Sequence, residues 1–194
     1  MTTLLVAGLT GSGKTSASRA LAASLGCQWV SGSDLRRRFF GLDGKDVGAP
    51  RLSKALSEGN LRLEEARMRQ TSGESEFDAE LLRLATSLEN AVFDVWFLPW
   101  FTPNRAVVSV LLRASLMTRA HRVSEMMKIS REDAAVIVSE KDERARQYAR
   151  RQYGVDIDHD HIIFDAVLDT DSLTTADVVN RLRVLAERQP RHGT

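Results

Sequence analysis

Eight consecutive residues, Gly8-Leu9-Thr10-Gly11-Ser12-Gly13-Lys14-Thr15, satisfy the spacing G-x-x-x-x-G-K-[ST]. Glycines at these offsets let a backbone curl until successive N–H groups face one anion, where a side chain would fill the concavity. Gly8, Gly11, Ser12, Gly13, Lys14, Thr15 and the following Ser16 are therefore the candidate cradle for a nucleoside triphosphate. Lys14 would reach the β- and γ-phosphates as a point charge, and the Thr15 hydroxyl would join the coordination shell of Mg²⁺. Such a site also needs an acid at the end of a neighbouring strand to hold the metal. Asp94, closing Ala91-Val92-Phe93-Asp94, supplies one, and Asp34, after Ser31-Gly32-Ser33, is the rival.

These groups need a frame. Leu4-Leu5-Val6-Ala7 is a short apolar run ending at Gly8, the pattern of a strand buried on both faces of a parallel sheet. Residues Lys14 to Leu25 read as the helix that follows. Four further short runs, Gln28 to Val30, Ala91 to Phe93, Val107 to Leu112 and Ile162 to Leu168, alternate with helix-patterned stretches. That alternation predicts an α/β fold, a doubly wound parallel sheet of about five strands with right-handed crossovers, of the P-loop NTPase type given the loop. Two stretches exceed ordinary crossovers. Residues from about Arg36 to Glu76 are charged and punctuated by Gly41, Gly44, Gly48, Gly59 and Gly73, and read as a small helical substrate-binding insert. Residues Arg119 to Tyr153 form a long helical pattern dense in arginine.

The formal charge is +1, from 27 Lys+Arg against 26 Asp+Glu, which argues against a dedicated nucleic-acid binder. Only Lys14, Lys45, Lys54, Lys128 and Lys141 are lysines, so arginine, the residue suited to bidentate phosphate contacts, dominates the basic set. The single Cys27 excludes an internal disulfide framework and a cysteine metal cluster, and fits a reducing cytoplasm. The opening Met1-Thr2-Thr3 lacks a basic leader and no stretch approaches about 20 apolar residues, so the expectation is a cytoplasmic protein without a membrane span.

Beyond the loop, Val30-Ser31-Gly32-Ser33-Asp34-Leu35-Arg36, the Arg119-x-x-Arg122 spacing after the fourth run, Arg150-Arg151-Gln152-Tyr153-Gly154-Val155-Asp156-Ile157 and Phe164 to Thr170 follow in order. Together they resemble the small nucleoside monophosphate kinases, in particular the cytidylate kinase-like group. The resemblance implies one kinase domain, with a core over residues 1–35, 88–118 and 160–190, an acceptor-binding insert over about 36–87 and a helical lid over about 119–159. It also implies phosphoryl transfer from MgATP to CMP, dCMP or a modified pyrimidine nucleotide, with no nucleic-acid or membrane partner. By matching position, Asp34 and Arg36 would meet the acceptor and Arg119 and Arg122 would face the donor phosphates or the lid interface, with Arg144 and Arg150 as looser lid candidates for the catalytic set.

The departures fall on the acceptor side. The group's pattern after the third strand, an acid, a small residue and an arginine, here reads Asp94-Val95-Trp96. The run continues through Phe97, Leu98, Pro99, Trp100, Phe101, Thr102 and Pro103, either as local core or interface or as the wall of an acceptor pocket. The helix from Asp78 to Leu88 offers Leu82 and Ala85 on its inner stripe, little with which to read a base edge, and Arg83 is the polar substitute. Two other functions compete: a kinase of a non-nucleotide small molecule, and a nucleotide-binding regulatory module with little turnover. The Asp156 to His161 turn holds His159 and His161, which form a solvated loop or a weak divalent site. Both a monomer and a homodimer fit the sequence.

Overall fold

The computed structural model describes residues 3–41, 74–102 and 107–187. Most of the expected insert, including Gly44, Gly48, Gly59 and Gly73, lies outside the described residues, as do Pro103 and the tail beyond residue 187. Strand β1 (Leu4–Gly8) leads into helix α1 (Lys14–Leu25), followed by β2 (Gln28–Ser31), α2 (Gly32–Phe39), α3 (Glu74–Ser87), β3 (Ala91–Asp94) and the short α4 (Leu98–Phe101). The second half runs β4 (Val108–Arg113), α5 (Leu116–Met127), α6 (Arg131–Tyr153), β5 (Ala166–Asp169) and α7 (Thr175–Ala186).

The five strands pair in parallel in the order β2-β3-β1-β4-β5. β1 is therefore central, with the chain crossing from one side of it to the other between β3 and β4. All five β1 residues are buried, as a continuous apolar run requires. Alternation sorts them: Leu4 and Val6 join Val92, Val110 and Leu112 against α1 and α7, while Leu5 joins Phe93 against Phe77, Leu81 and Ala85 of α3. The register sets Val6 opposite Asp94, so the loop leaving β1 and the acid ending β3 share the carboxyl edge of the sheet.

The arginine-rich stretch is a helix pair. α5 ends at Lys128, held at φ 58°, and α6 begins after Ser130, whose hydroxyl accepts the Asp133 N–H. Ala120, Val123 and Met127 pack against Ala134 and Val138 between them. The last apolar run forms a strand only over Ala166–Asp169. Ile162 lies in a preceding turn and is 97% exposed, because Phe164 N–H is taken by His161 O and the ladder begins later. Among the described residues no helix is long and apolar enough to cross a membrane.

Candidate active site

At the end of β1 the chain turns through residues 9–13 and enters α1 with Gly13 at φ 92° and no side chain capping the helix. The first N–H groups of α1 are thus left for a ligand, at its positive end. Gly11 adopts φ 80°, and a β-carbon there would come within 2.8 Å of the Arg119 carbonyl oxygen. Buried Ser12 Oγ is without a hydrogen-bond partner among the described residues. A left-handed glycine pair, an uncapped helix start and an orphaned hydroxyl together fit a polyphosphate.

Lys14 Nζ lies 3.8 Å from Asp94 Oδ1, and Thr15 Oγ1 donates to Asp94 Oδ2 at 2.6 Å. The sheet register brings lysine, hydroxyl and acid together across 79 residues of sequence. A hydroxyl and a carboxylate are hard oxygen donors of the kind Mg²⁺ takes. Asp34 stands elsewhere: it opens α2, its N–H goes to Ser31 Oγ at 3.2 Å, and its carboxylate is taken by Arg37. Of the two acids, Asp94 is the one beside Lys14 and Thr15. Ser16 is exposed on the first turn of α1.

A cleft opens from Lys14 and Asp94 between α2, α3, α4 and α6, lined among others by Arg36, Phe77, Asp78, Leu81, Trp96, Phe97, Phe101, Lys141, Arg144, Tyr148 and Tyr153. Arg36 is buried there, both its terminal nitrogens bonded to the Glu74 carboxylate and its plane over the rings of Phe40 (4.7 Å) and Phe77 (5.6 Å). Burial works against the Arg36 charge, but the Glu74 carboxylate outweighs it and holds the guanidinium protonated more firmly than usual. Tyr148 Oη donates to Glu74 Oε2 and Tyr153 Oη to Asp78 Oδ2, each at 2.8 Å. Burial raises the Asp78 carboxyl to about 6 even though the Tyr153 hydrogen bond opposes it. Burial likewise pushes the Tyr148 phenol up to about 12, and the Tyr153 phenol well above its ordinary range.

The aromatic run is core on one side and cleft wall on the other. Leu98 and Pro99 are buried, and Trp100 packs edge-on against Phe164 at 4.9 Å while its Nε1 donates to Asp160 O at 2.8 Å. Phe97 contacts Tyr148 and Tyr153, and Phe101 stacks on Tyr153 at 5.1 Å. Trp96, in the position of the expected arginine, sets its ring 5.8 Å from Lys14 Nζ.

Not every expected residue reaches this cleft. Arg83 is exposed and spent on Glu80, outside the lining, because it is out of phase with the inner stripe of α3. That stripe is Glu74, Phe77, Leu81 and Ala85, with Leu82 only partly buried. Arg119 and Arg122 lie behind the loop: Arg119 is buried on Asp142 of α6, and Arg122 is bonded to Thr170. Arg144 lines the cleft, 3.3 Å from Glu140, whereas Arg150 faces Asp156 at 3.3 Å on an exposed turn. His159 is exposed beside Asp156 and His161 is tethered to Ile157 O, and no group of three metal-capable side chains converges among the described residues. Sequence reasoning missed Glu74, Asp78 and Tyr148. The signal was present in α3, where acids at positions 74 and 78 precede Leu81 and Ala85 at helical spacing, so carboxylates interrupt an apolar stripe.

The sequence matches the family described as the cytidylate kinase-like family over residues 5–172. It is 26% identical over 194 residues to a cytidylate kinase of Sulfolobus acidocaldarius, covering 98% of this chain and 97% of that protein. It is 31% identical over 180 residues to a cytidylate kinase of Pyrobaculum aerophilum, covering 92% and 89%. Among solved structures, a gluconokinase from Sinorhizobium meliloti superposes with a TM-score of 0.58 at 16% identity, covering 96% of this chain and 94% of that one.

Proposed function

The chain belongs to the cytidylate kinase-like family, and from that premise we propose that it transfers a phosphoryl group from MgATP to the phosphate of a pyrimidine nucleoside monophosphate. The observation that carries this reading is the convergence of Lys14, Thr15 and Asp94 at the mouth of a cleft whose far wall is aromatic. Main-chain N–H groups of the loop would bind the donor's phosphates, with Lys14 on the transferred group, where charge develops. Thr15 and Asp94 would hold Mg²⁺, which would supply positive charge to offset that of the donor phosphates.

Arg36 would take the acceptor phosphate. Glu74 occupies only its terminal nitrogens, which leaves Nε and the outer N–H bonds for an oxyanion. The acceptor's base would slide between Phe77, Leu81, Phe97 and Phe101, with Asp78 and Tyr153 at its polar edge. As a carboxylate, Asp78 only accepts, so it can take a hydrogen bond from an exocyclic amino group, which cytosine carries and uracil lacks. Within the α5–α6 lid, α5 would stay anchored to the loop while α6 brings Arg144 over the reacting phosphates and excludes water.

The test is a coupled ATP-to-ADP assay across CMP, dCMP, UMP, AMP and a panel of small alcohols. Turnover is expected with CMP or dCMP ahead of UMP, and Lys14→Ala is expected to lose at least ~100-fold in kcat/KM. A second reading, a kinase of a non-nucleotide acceptor, draws on Trp96 standing where an arginine was expected, and turnover confined to the alcohol panel would select it.

A further inference from the structure

Three successive carbonyl groups of the phosphate loop are each held by a side chain from outside the cleft. Arg119 Nη1 donates to Thr10 O at 3.2 Å, Arg122 Nη1 to Gly11 O at 3.3 Å and Thr170 Oγ1 to Ser12 O at 3.1 Å. No peptide bond among the described residues is cis, so the C=O and N–H of each unit point in opposite directions. Fixing the Thr10 oxygen therefore aims the Gly11 N–H the other way, and fixing the Ser12 oxygen does the same for Gly13. The Ser12 N–H closes the turn itself, on Leu9 O at 3.1 Å.

The side chains that do the holding are themselves anchored. Arg119 spends Nε on Ala114 O (3.1 Å) and both terminal nitrogens on Asp142 (2.9 and 2.6 Å) in addition to Thr10. Arg122 bonds the Thr170 hydroxyl at 3.0 Å and its carbonyl at 2.5 Å. Thr170 itself is 1% exposed at the end of the last strand. Its N–H serves Arg113 O at 2.8 Å, and its one hydroxyl hydrogen lies between Arg113 O at 3.0 Å and Ser12 O at 3.1 Å; because Arg113 O already accepts the N–H, Ser12 O is the acceptor that depends on the hydroxyl.

Resting on the reading of this loop as the donor's site, we propose that Arg119, Arg122 and Thr170 are positioning residues for ATP. They grip the loop by its carbonyls from behind, so its amide hydrogens are set for a polyphosphate before one arrives. The two arginines thereby serve the donor without touching it, and Thr170 joins them from a strand that carries no other part of the site.

Thr170→Val keeps the shape and removes the hydroxyl, while Thr170→Ser restores it. Calorimetry with Mg²⁺ and a non-hydrolysable ATP analogue is expected to give a Kd about tenfold weaker for the valine variant, the loss of roughly one hydrogen bond, and within about twofold of the starting protein for serine. The KM for the monophosphate should move less than twofold in both. An unchanged donor Kd in Thr170→Val, or equal losses on donor and acceptor sides, overturns the proposal while leaving the kinase reading intact. Absence of analogue binding by the unaltered protein overturns both. Arg122→Gln is the second variant, on a partly exposed side chain. It should weaken the analogue about as much as Arg122→Lys, which keeps the charge but loses the fork that reaches Gly11 O and Thr170, and a lysine variant that binds like the starting protein would make Arg122 a charge contact and refute its positioning role.

Discussion

Asp78 is the carboxyl group whose ionisation the fold resists most plainly. Its carboxyl is raised from 3.8 to about 6, chiefly by burial beneath Tyr153. Between those two values the folded protein holds a proton that the unfolded chain has released, so stability falls as pH rises through that window, and the full cost persists above it. Two pKa units set a ceiling of about 3 kcal/mol, and solvent reaching this half-buried group reduces that to the order of 1 kcal/mol. Asp78→Asn is therefore expected to raise Tm at pH 7.5 by about 2–4 °C and to leave it nearly unchanged at pH 3.5. Thermal unfolding at the two pH values checks this. Arg36 supplies a second residue-scale prediction. Arg36→Ala should raise the acceptor KM more than the ATP KM, because the guanidinium lies on the α2–α3 side of the cleft; the reverse ranking would move it to the donor's side. What was readable in the sequence at this scale was the loop, whose chemistry depends on neighbours in the chain. Glu74, Asp78 and Tyr148 were not readable, because their partners stand 38 to 75 residues away and only tertiary packing brings them together.

At the level of elements, strands were legible wherever both faces are buried. β1, β3 and β4 follow their apolar runs to within a residue, since parallel strands under two helical layers have no polar face to blur the pattern. The edge strand β5, exposed at alternate positions, was read too long for the opposite reason. The break between α5 and α6 was hidden because Lys128, an ordinary helix former, occupies the left-handed position that glycine usually marks. That position carries its own prediction. A non-glycine residue at φ 58° costs about 1–2 kcal/mol, part of which the greater freedom of unfolded glycine takes back. Lys128→Gly should thus stabilise the protein by about 0.5–1 kcal/mol in urea unfolding, with no effect on either KM. A decrease in stability would mean that the lysine side chain contributes more than its backbone costs.

Taken whole, the molecule builds its cleft from two bodies of side chains: Lys14, Arg36 and Asp94 on the sheet's carboxyl edge, and Lys141, Arg144, Tyr148 and Tyr153 on α6. If the part of α6 that carries Arg144, Tyr148 and Tyr153 closes over the cleft, a donor and an acceptor each draw the same helix inward, and each should lower the cost of ordering it for the other. The Tm rise with CMP and a non-hydrolysable ATP analogue together is expected to exceed the sum of their separate rises, and strict additivity would argue against a shared moving element. The chain also carries an optical gauge of this event. The Trp96 indole stands 5.8 Å from the Lys14 ammonium, on the wall that an acceptor would cover, whereas Trp100 is fixed against Phe164 and Trp29 hydrogen-bonds Ser18 away from the cleft. Occupancy of the site should consequently be visible in the emission of one native fluorophore out of three, so that filling and emptying can be timed in stopped flow without a label.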